Sequence, residues 1–198
     1  MSFKNKNQKV FGKIYQKVRI KLYKLLNTFN GAISGTPILM QPLQLVGKGK
    51  INFQKEVQIG YYPAPRYYDG LSYLEVRNEE ASINFGNNIA INNNLIIICA
   101  NTSVSIGDTV FIDHDVEIID SDTHTSVPVL RKENAPNASL PIIIVENVFI
   151  RNCVKFLKGV QIRKNNIIAH CSVFTKSFPK NVIVSGNPTK IIRNQLVE

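Results

Sequence analysis

The sequence predicts an all-β protein, a parallel β-helix of hexapeptide repeats preceded by one helix. Three observations predict it. Ile144, Ile150, Phe156, Ile162, Ile168 and Phe174 recur at a strict spacing of six. That period fits neither a helix nor an alternating strand. It marks a coil in which each hexapeptide forms one face. The same period returns in shorter blocks: Phe53 and Ile59; Phe85, Ile91 and Ile97; Ile106, Ile112 and Ile118. Asparagines cluster between these aliphatic points, which suits a coil with an apolar interior and polar corners.

Taken in order, residues 3–27 read as an amphipathic helix. Val10, Ile14, Val18, Leu22 and Leu25 recur at three and four, and lysines cover the other side. Gly31, Gly35 and Pro37 end it, and residues 1–46 form a basic N-terminal segment. The coil is expected from Gly47 to Arg193, with 194–198 as a tail. Two loops interrupt it. The first, at about 61–75, is rich in tyrosine and proline. The second, 120–141, breaks an otherwise regular repeat and opens on Asp120-Ser121-Asp122-Thr123-His124, the densest group of ionisable and hydroxyl side chains in the chain. Long insertions in a repeat coil leave the stack on one side and tend to build sites.

Composition narrows the class. The 198 residues suffice for one or two domains, are 44% hydrophobic and include no tryptophan. The net charge of +10 is uneven: residues 1–50 hold ten Lys/Arg and no acid, leaving fourteen Lys/Arg to balance all fourteen acids. Such a segment favours an anionic partner, a membrane surface or a nucleic acid. No nucleic-acid-reading motif follows the helix, so nucleic acid is set aside. Two readings of the helix stay open, packing on the body or a neighbouring subunit, and peripheral contact with a membrane through residues 3–27. Cys99, Cys153 and Cys171 form no CxxC pair and read as buried free thiols, which fits a reducing cytoplasm. No signal peptide is visible, and apolar runs of about six residues are far too short to span a bilayer. The expected location is the cytoplasm, with the inner membrane face as a peripheral site.

Three stretches carry a family resemblance. SIGDTVFIDHDVEI followed by DSDTH, FLKGVQI, and SVFTKSFPKNVIVSGNPTKIIR resemble motifs of the hexapeptide-repeat acyltransferases. The nearest branch is similar to maltose, galactoside and bacterial polysaccharide O-acetyltransferases. The likeness is strong over 83–193, weaker over 47–82 and absent before. It implies a left-handed coil, a homotrimer with its site between subunits, and direct acetyl transfer from acetyl-CoA to a sugar hydroxyl, on a surface polysaccharide or a lipid-linked glycan. Left-handed crossovers are rare, and the period of six alone does not give the hand.

A sugar hydroxyl needs a base to take its proton, and histidine titrates in the right range. The chain has His114, His124 and His170. His124, at the loop start, matches the family's catalytic position. Asp122 and Asp120 are placed to orient it. His114, between Asp113 and Asp115, reads as structural or acceptor-facing. Asn93, Asn101 and Asp122 are the expected acceptor-binding residues; by the resemblance Asn93 and Asn101 fall at acceptor-contacting positions, although Asn101 replaces a frequent acid. Asn152, His170, Thr175, Lys176, Lys190 and Arg193 fall at coenzyme-contacting positions, and the cations suit a polyanion. Gaps of ten and forty-six residues between the histidines give no zinc pattern, so no metal is expected. The family's Ile-Gly pairs are replaced at Val145, Arg151, Arg163 and Ala169. That departure keeps a non-catalytic trimer of the same fold open, and an amino-sugar N-acetyltransferase is a third reading.

Overall fold

The computed structural model describes residues 3–122 and 138–195. Three parallel sheets form the sides of a triangular prism, and the chain visits them in rotation. The first stacks β1 (Thr28–Phe29), β4 (Leu43–Gly47), β7 (Ser72–Val76), β10 (Ile96–Cys99), β13 (Glu117–Ile119), β16 (Lys155–Phe156) and β19 (Val173–Phe174). The second stacks β2 (Ala32–Ser34), β5 (Lys50–Phe53), β8 (Ser82–Phe85), β11 (Ser103–Ile106), β14 (Ile142–Ile144) and β17 (Gln161–Ile162). The third holds β3 (Ile38–Leu39), β6 (Val57–Ile59), β9 (Ile89–Ile91), β12 (Phe111–Ile112), β15 (Phe149–Ile150), β18 (Ile167–Ile168), β20 (Val182–Ser185) and β21 (Lys190–Asn194). Among the described strands only β21 runs antiparallel, folding back on β20 to close the last turn of the coil.

The period of six is the inward register. Leu74, Ile97, Ile118, Phe156 and Phe174 pair in succession up the first sheet. Phe53, Phe85, Ile106, Ile144 and Ile162 do so in the second, and Ile59, Ile91, Ile112, Ile150 and Ile168 in the third. All are buried, each contributing roughly 1.5–3 kcal/mol. Phe156 stacks on Phe174 with ring centroids 4.9 Å apart, and Phe53 on Phe85 at the same distance.

The corners explain the asparagines. Asn88, Asn94, Asn147, Asn165 and Asn181 all take positive φ, the left-handed conformation that asparagine tolerates better than most residues. Cys153 and Cys171 occupy equivalent turn positions at φ 58° and 55°. Of the three thiols only Cys99 is fully buried. Cys153 is half-buried and Cys171 exposed, because a left-handed corner residue points out of the prism.

The structure differs from the expected boundaries in two places. The coil starts at Thr28 rather than near Gly47. Its first turn hides from the hydrophobic period because β2 is exposed and Phe29 and Leu39 are only partly buried. The first loop ends earlier than 75, since Ser72–Val76 is β7.

Helix α1 (Phe3–Leu25) lies against that first loop. Among the described residues no helix is long and apolar enough to cross a membrane. Contrary to a packed apolar stripe, α1 meets the body through polar side chains. The Gln16 amide donates to Tyr67 O at 2.7 Å and Met40 O at 3.1 Å, and Arg19 donates to Gly70 O at 2.8 Å.

Candidate active site

The second loop leaves the edge between the first and second sheets through a narrow neck. Its two arms pair at an antiparallel bridge, Ser121 with Ser139. Leu140 N–H donates to Asp120 O at 2.9 Å, and Asp122 N–H to Ala138 O at 3.3 Å. Residues 123–137, and with them the expected base His124, lie outside the described residues.

Asp120 anchors this neck. Its carboxylate is fully buried and accepts from Ala100 N (2.7 Å), Asn101 N (3.2 Å), Thr102 N (3.0 Å) and Thr102 Oγ1 (2.8 Å). Burial pulls its pKa upward, but the donors outweigh burial and hold it below the ordinary carboxylate value. Asp120 therefore holds the Cys99–Thr102 corner in place. That corner is also where the hydrophobic period slips by three between Ile97 and Ile106. Beside it, burial and the neighbouring Asp120 push the Cys99 thiol up to about 12.

Asp122, by contrast, is partly exposed and meets Lys158 Nζ, which also donates to Ala138 O at 3.2 Å. Asn101 donates to Ser139 Oγ at 2.7 Å and accepts from Asn78. Sequence reasoning missed Lys158. The signal for it is spacing: Ile118 pairs with Phe156 and Phe156 with Phe174, so Asp120, Lys158 and Lys176 form one column two residues further on.

A second group of expected site residues stands on a different edge, between the third and first sheets. Ile91, Ile112, Ile150 and Ile168 are in register, which aligns Asn93, His114, Asn152 and His170 in a column. Backbone bonds tie it together, from Asp115 N to Asn93 O, Cys153 N to His114 O and Cys171 N to Asn152 O. His114 Nδ1 lies 2.9 Å from Asp115 Oδ2. Burial raises the Asp115 pKa, yet hydrogen bonds from His114 and Asn94 bring it below the usual range. His170 is exposed at the head of the column.

Asn93 departs from its expected acceptor contact. It is fully buried, donates to Tyr61 O (3.1 Å) and Pro65 O (2.7 Å), and accepts from Tyr61 N (3.1 Å). Both ends of its amide are occupied in holding the tyrosine-rich loop.

Thr175 and Lys176 follow β19 on the first edge, while Lys190 and Arg193 lie on β21; all four are exposed. The Lys176 ammonium sits 5.7 Å from the Phe178 ring centre. The replaced glycines impose no backbone strain. Positive φ falls two residues after each, at Asn147, Cys153, Asn165 and Cys171. An open depression of about 710 Å³ occupies the remaining edge, walled by Gly86, Gly107, Asp108, Val145 and Glu146. It holds none of the expected site residues. Among the described residues no group of three His, Cys, Asp or Glu is placed to hold a metal ion.

No family model matches the chain. Galactoside O-acetyltransferase of Escherichia coli (strain K12) is 39% identical over 116 residues, 57% of this chain and 54% of that protein. Galactoside O-acetyltransferase of Lactococcus lactis subsp. lactis (strain IL1403) is 36% identical over 112 residues, 57% and 53%. The chain spans about half the length of these curated relatives. Among solved structures, the polySia specific acetyltransferase NeuO superposes with a TM-score of 0.61 at 20% identity, covering 87% of this chain and 86% of that one. A hexapeptide-repeat-containing acetyltransferase of Vibrio cholerae, solved with acetyl coenzyme A, gives 0.52 at 20% identity over 92% and 79%. The chain resembles the hexapeptide-repeat acyltransferases in both sequence and fold. Its coil is the left-handed parallel β-helix.

Proposed function

We propose that the protein is an acetyltransferase that moves the acetyl group of acetyl-CoA onto a sugar hydroxyl, with His124 as general base. One observation carries the reading. The expected site residues sort onto two edges of one prism: Asn101, Asp122, Thr175 and Lys176 on one, Asn152 and His170 on the other. Within one chain these groups are parted. In a homotrimer of parallel prisms, the first edge of each protomer faces the other edge of its neighbour, and each crevice then holds a complete set. The likeness to two galactoside O-acetyltransferases supports the reaction class.

Acetyl-CoA, bound as donor substrate, supplies an activated acyl group. Its phosphates fit the exposed cations Lys176, Lys190 and Arg193. The sugar O–H proton passes to a ring nitrogen of His124 as the oxygen bonds to the thioester carbonyl carbon. The C–S bond breaks, and the departing thiolate takes that proton. Asp122, tied to Lys158 at the neck, fixes where the loop enters the crevice. Asn101 faces the acceptor beside it, and Asn93 acts one step removed, through the loop it holds. Residues 3–27 keep the protein at an anionic membrane face, where a lipid-linked or surface glycan is met.

Labelled acetyl-CoA offered with the host's glycan fractions tests this. His124→Ala lowers turnover by roughly 10²–10⁴-fold, the usual worth of a general base. Unchanged transfer by that variant refutes the assignment. Loss of label in mild alkali marks an ester; retention marks an amide and the amino-sugar reading. Failure of the wild-type protein to bind acetyl-CoA supports the non-catalytic one.

A further inference from the structure

Helix α1 has three faces rather than two. Gly12, Gln16 and Arg19 meet the body, with the Gln16 side chain buried and hydrogen-bonded to backbone carbonyls of Met40 and Tyr67. Lys13, Lys17, Lys21 and Lys24 form a second row, all exposed. Val10, Phe11, Ile14, Val18, Leu22 and Leu25 form the third, and it too is exposed: Phe11 to 71%, Val18 to 58% and Leu25 to 83%. At about 100° per residue the lysine row and the apolar row adjoin along the helix. A helix on a globular body ordinarily buries its apolar stripe and shows its polar side. Here the polar side is fastened down, so the apolar row is held outward.

We infer that these two rows form a docking surface for an anionic lipid bilayer. The apolar row sinks to the level where headgroups meet acyl chains, and the lysines meet headgroup phosphates. Charge selects this occupant over a second copy of the chain. Residues 1–50 carry ten Lys/Arg and no acid, while the rest of the chain is balanced at fourteen of each. A neighbouring copy offers the lysine row no net anion, whereas an anionic bilayer offers both an apolar layer and a negative one. The inference rests on the membrane-face placement proposed above and deepens it. It assigns the row that inserts, the row that meets phosphate, and the Gln16 and Arg19 bonds that aim both away from the coil.

Sedimentation of the full-length protein with vesicles tests it. Phosphatidylcholine vesicles containing phosphatidylglycerol pellet the wild-type protein, and vesicles of phosphatidylcholine alone do not. Val18→Glu with Leu22→Glu, and separately the four lysines to Gln, each weaken binding at least about tenfold. Added salt weakens the wild type and barely changes the lysine variant. Both variants keep the wild-type oligomer size and transfer acetyl to a soluble acceptor without vesicles at the wild-type rate. Failure of the wild-type protein to pellet with anionic vesicles overturns the inference. So does dissociation of the oligomer by the Val18→Glu, Leu22→Glu double variant, which assigns the apolar row to a second copy. Vesicle binding without any acetyl transfer sinks the proposed reaction alone, and transfer without vesicle binding sinks the docking surface alone.

Discussion

Replacing Asp120 by alanine strands four donors at once. The backbone N–H groups of Ala100, Asn101 and Thr102 and the Thr102 hydroxyl all point at this carboxylate. Hydrogen bonds to a charged group are worth about 1.5–3 kcal/mol each, but bonds sharing one acceptor do not add. Water entering the opened corner recovers part of the loss, so we expect about 2–4 kcal/mol, well below the simple sum over four stranded donors. Denaturant unfolding at fixed protein concentration measures it, since oligomer stability depends on concentration. The pH dependence adds a second readout. The folded-state pKa of Asp120 lies below its unfolded value. Its contribution is thus fully present above the unfolded pKa, near 3.9, and is lost as pH falls through the lower folded pKa. The gap between wild type and Asp120→Asn should be wide at neutral pH and narrow only in strong acid. A cost below about 1 kcal/mol for the alanine variant, or a gap that does not change with pH, refutes the anchoring argument.

Two further outcomes follow from the core and the corners. Phe156→Ala empties a fully buried site stacked on Phe174 and should cost about 3–5 kcal/mol in denaturant unfolding; a cost under about 1 kcal/mol would mean the column does not carry the coil. Thiol labelling of the native protein at mildly alkaline pH should modify exposed Cys171 first, half-buried Cys153 more slowly, and Cys99 only on unfolding, because its thiol pKa is pushed up to about 12. Rapid labelling of Cys99, read by mass spectrometry of peptides, contradicts the buried corner.

The coil was legible in the sequence because inward positions of a hexapeptide stack must be aliphatic or aromatic, and they recur whatever the corners do. Its first turn was not, since Phe29 and Leu39 are only partly covered and β2 faces out. The slip between Ile97 and Ile106 was visible, but no local pattern announces the carboxylate twenty positions downstream that holds its corner. The spacing of eighteen between Asn152 and His170 was readable as one full turn. Asn93 shows the opposite case: its side chain is exhausted by backbone of a loop thirty-two residues earlier, a contact invisible to alignment of motifs. For α1 the amphipathic pattern revealed an apolar face but not its orientation, because a short polar side chain such as Gln16 can fasten a helix as well as a leucine can.

The pairing of Ser121 with Ser139, backed by the Leu140 to Asp120 bond, brings the chain back to its point of departure before the next strand begins. The entropy of closing such a ring grows only logarithmically with its length, about 0.6 kcal/mol per doubling. Changes of length between the two serines therefore cost the scaffold little chain entropy.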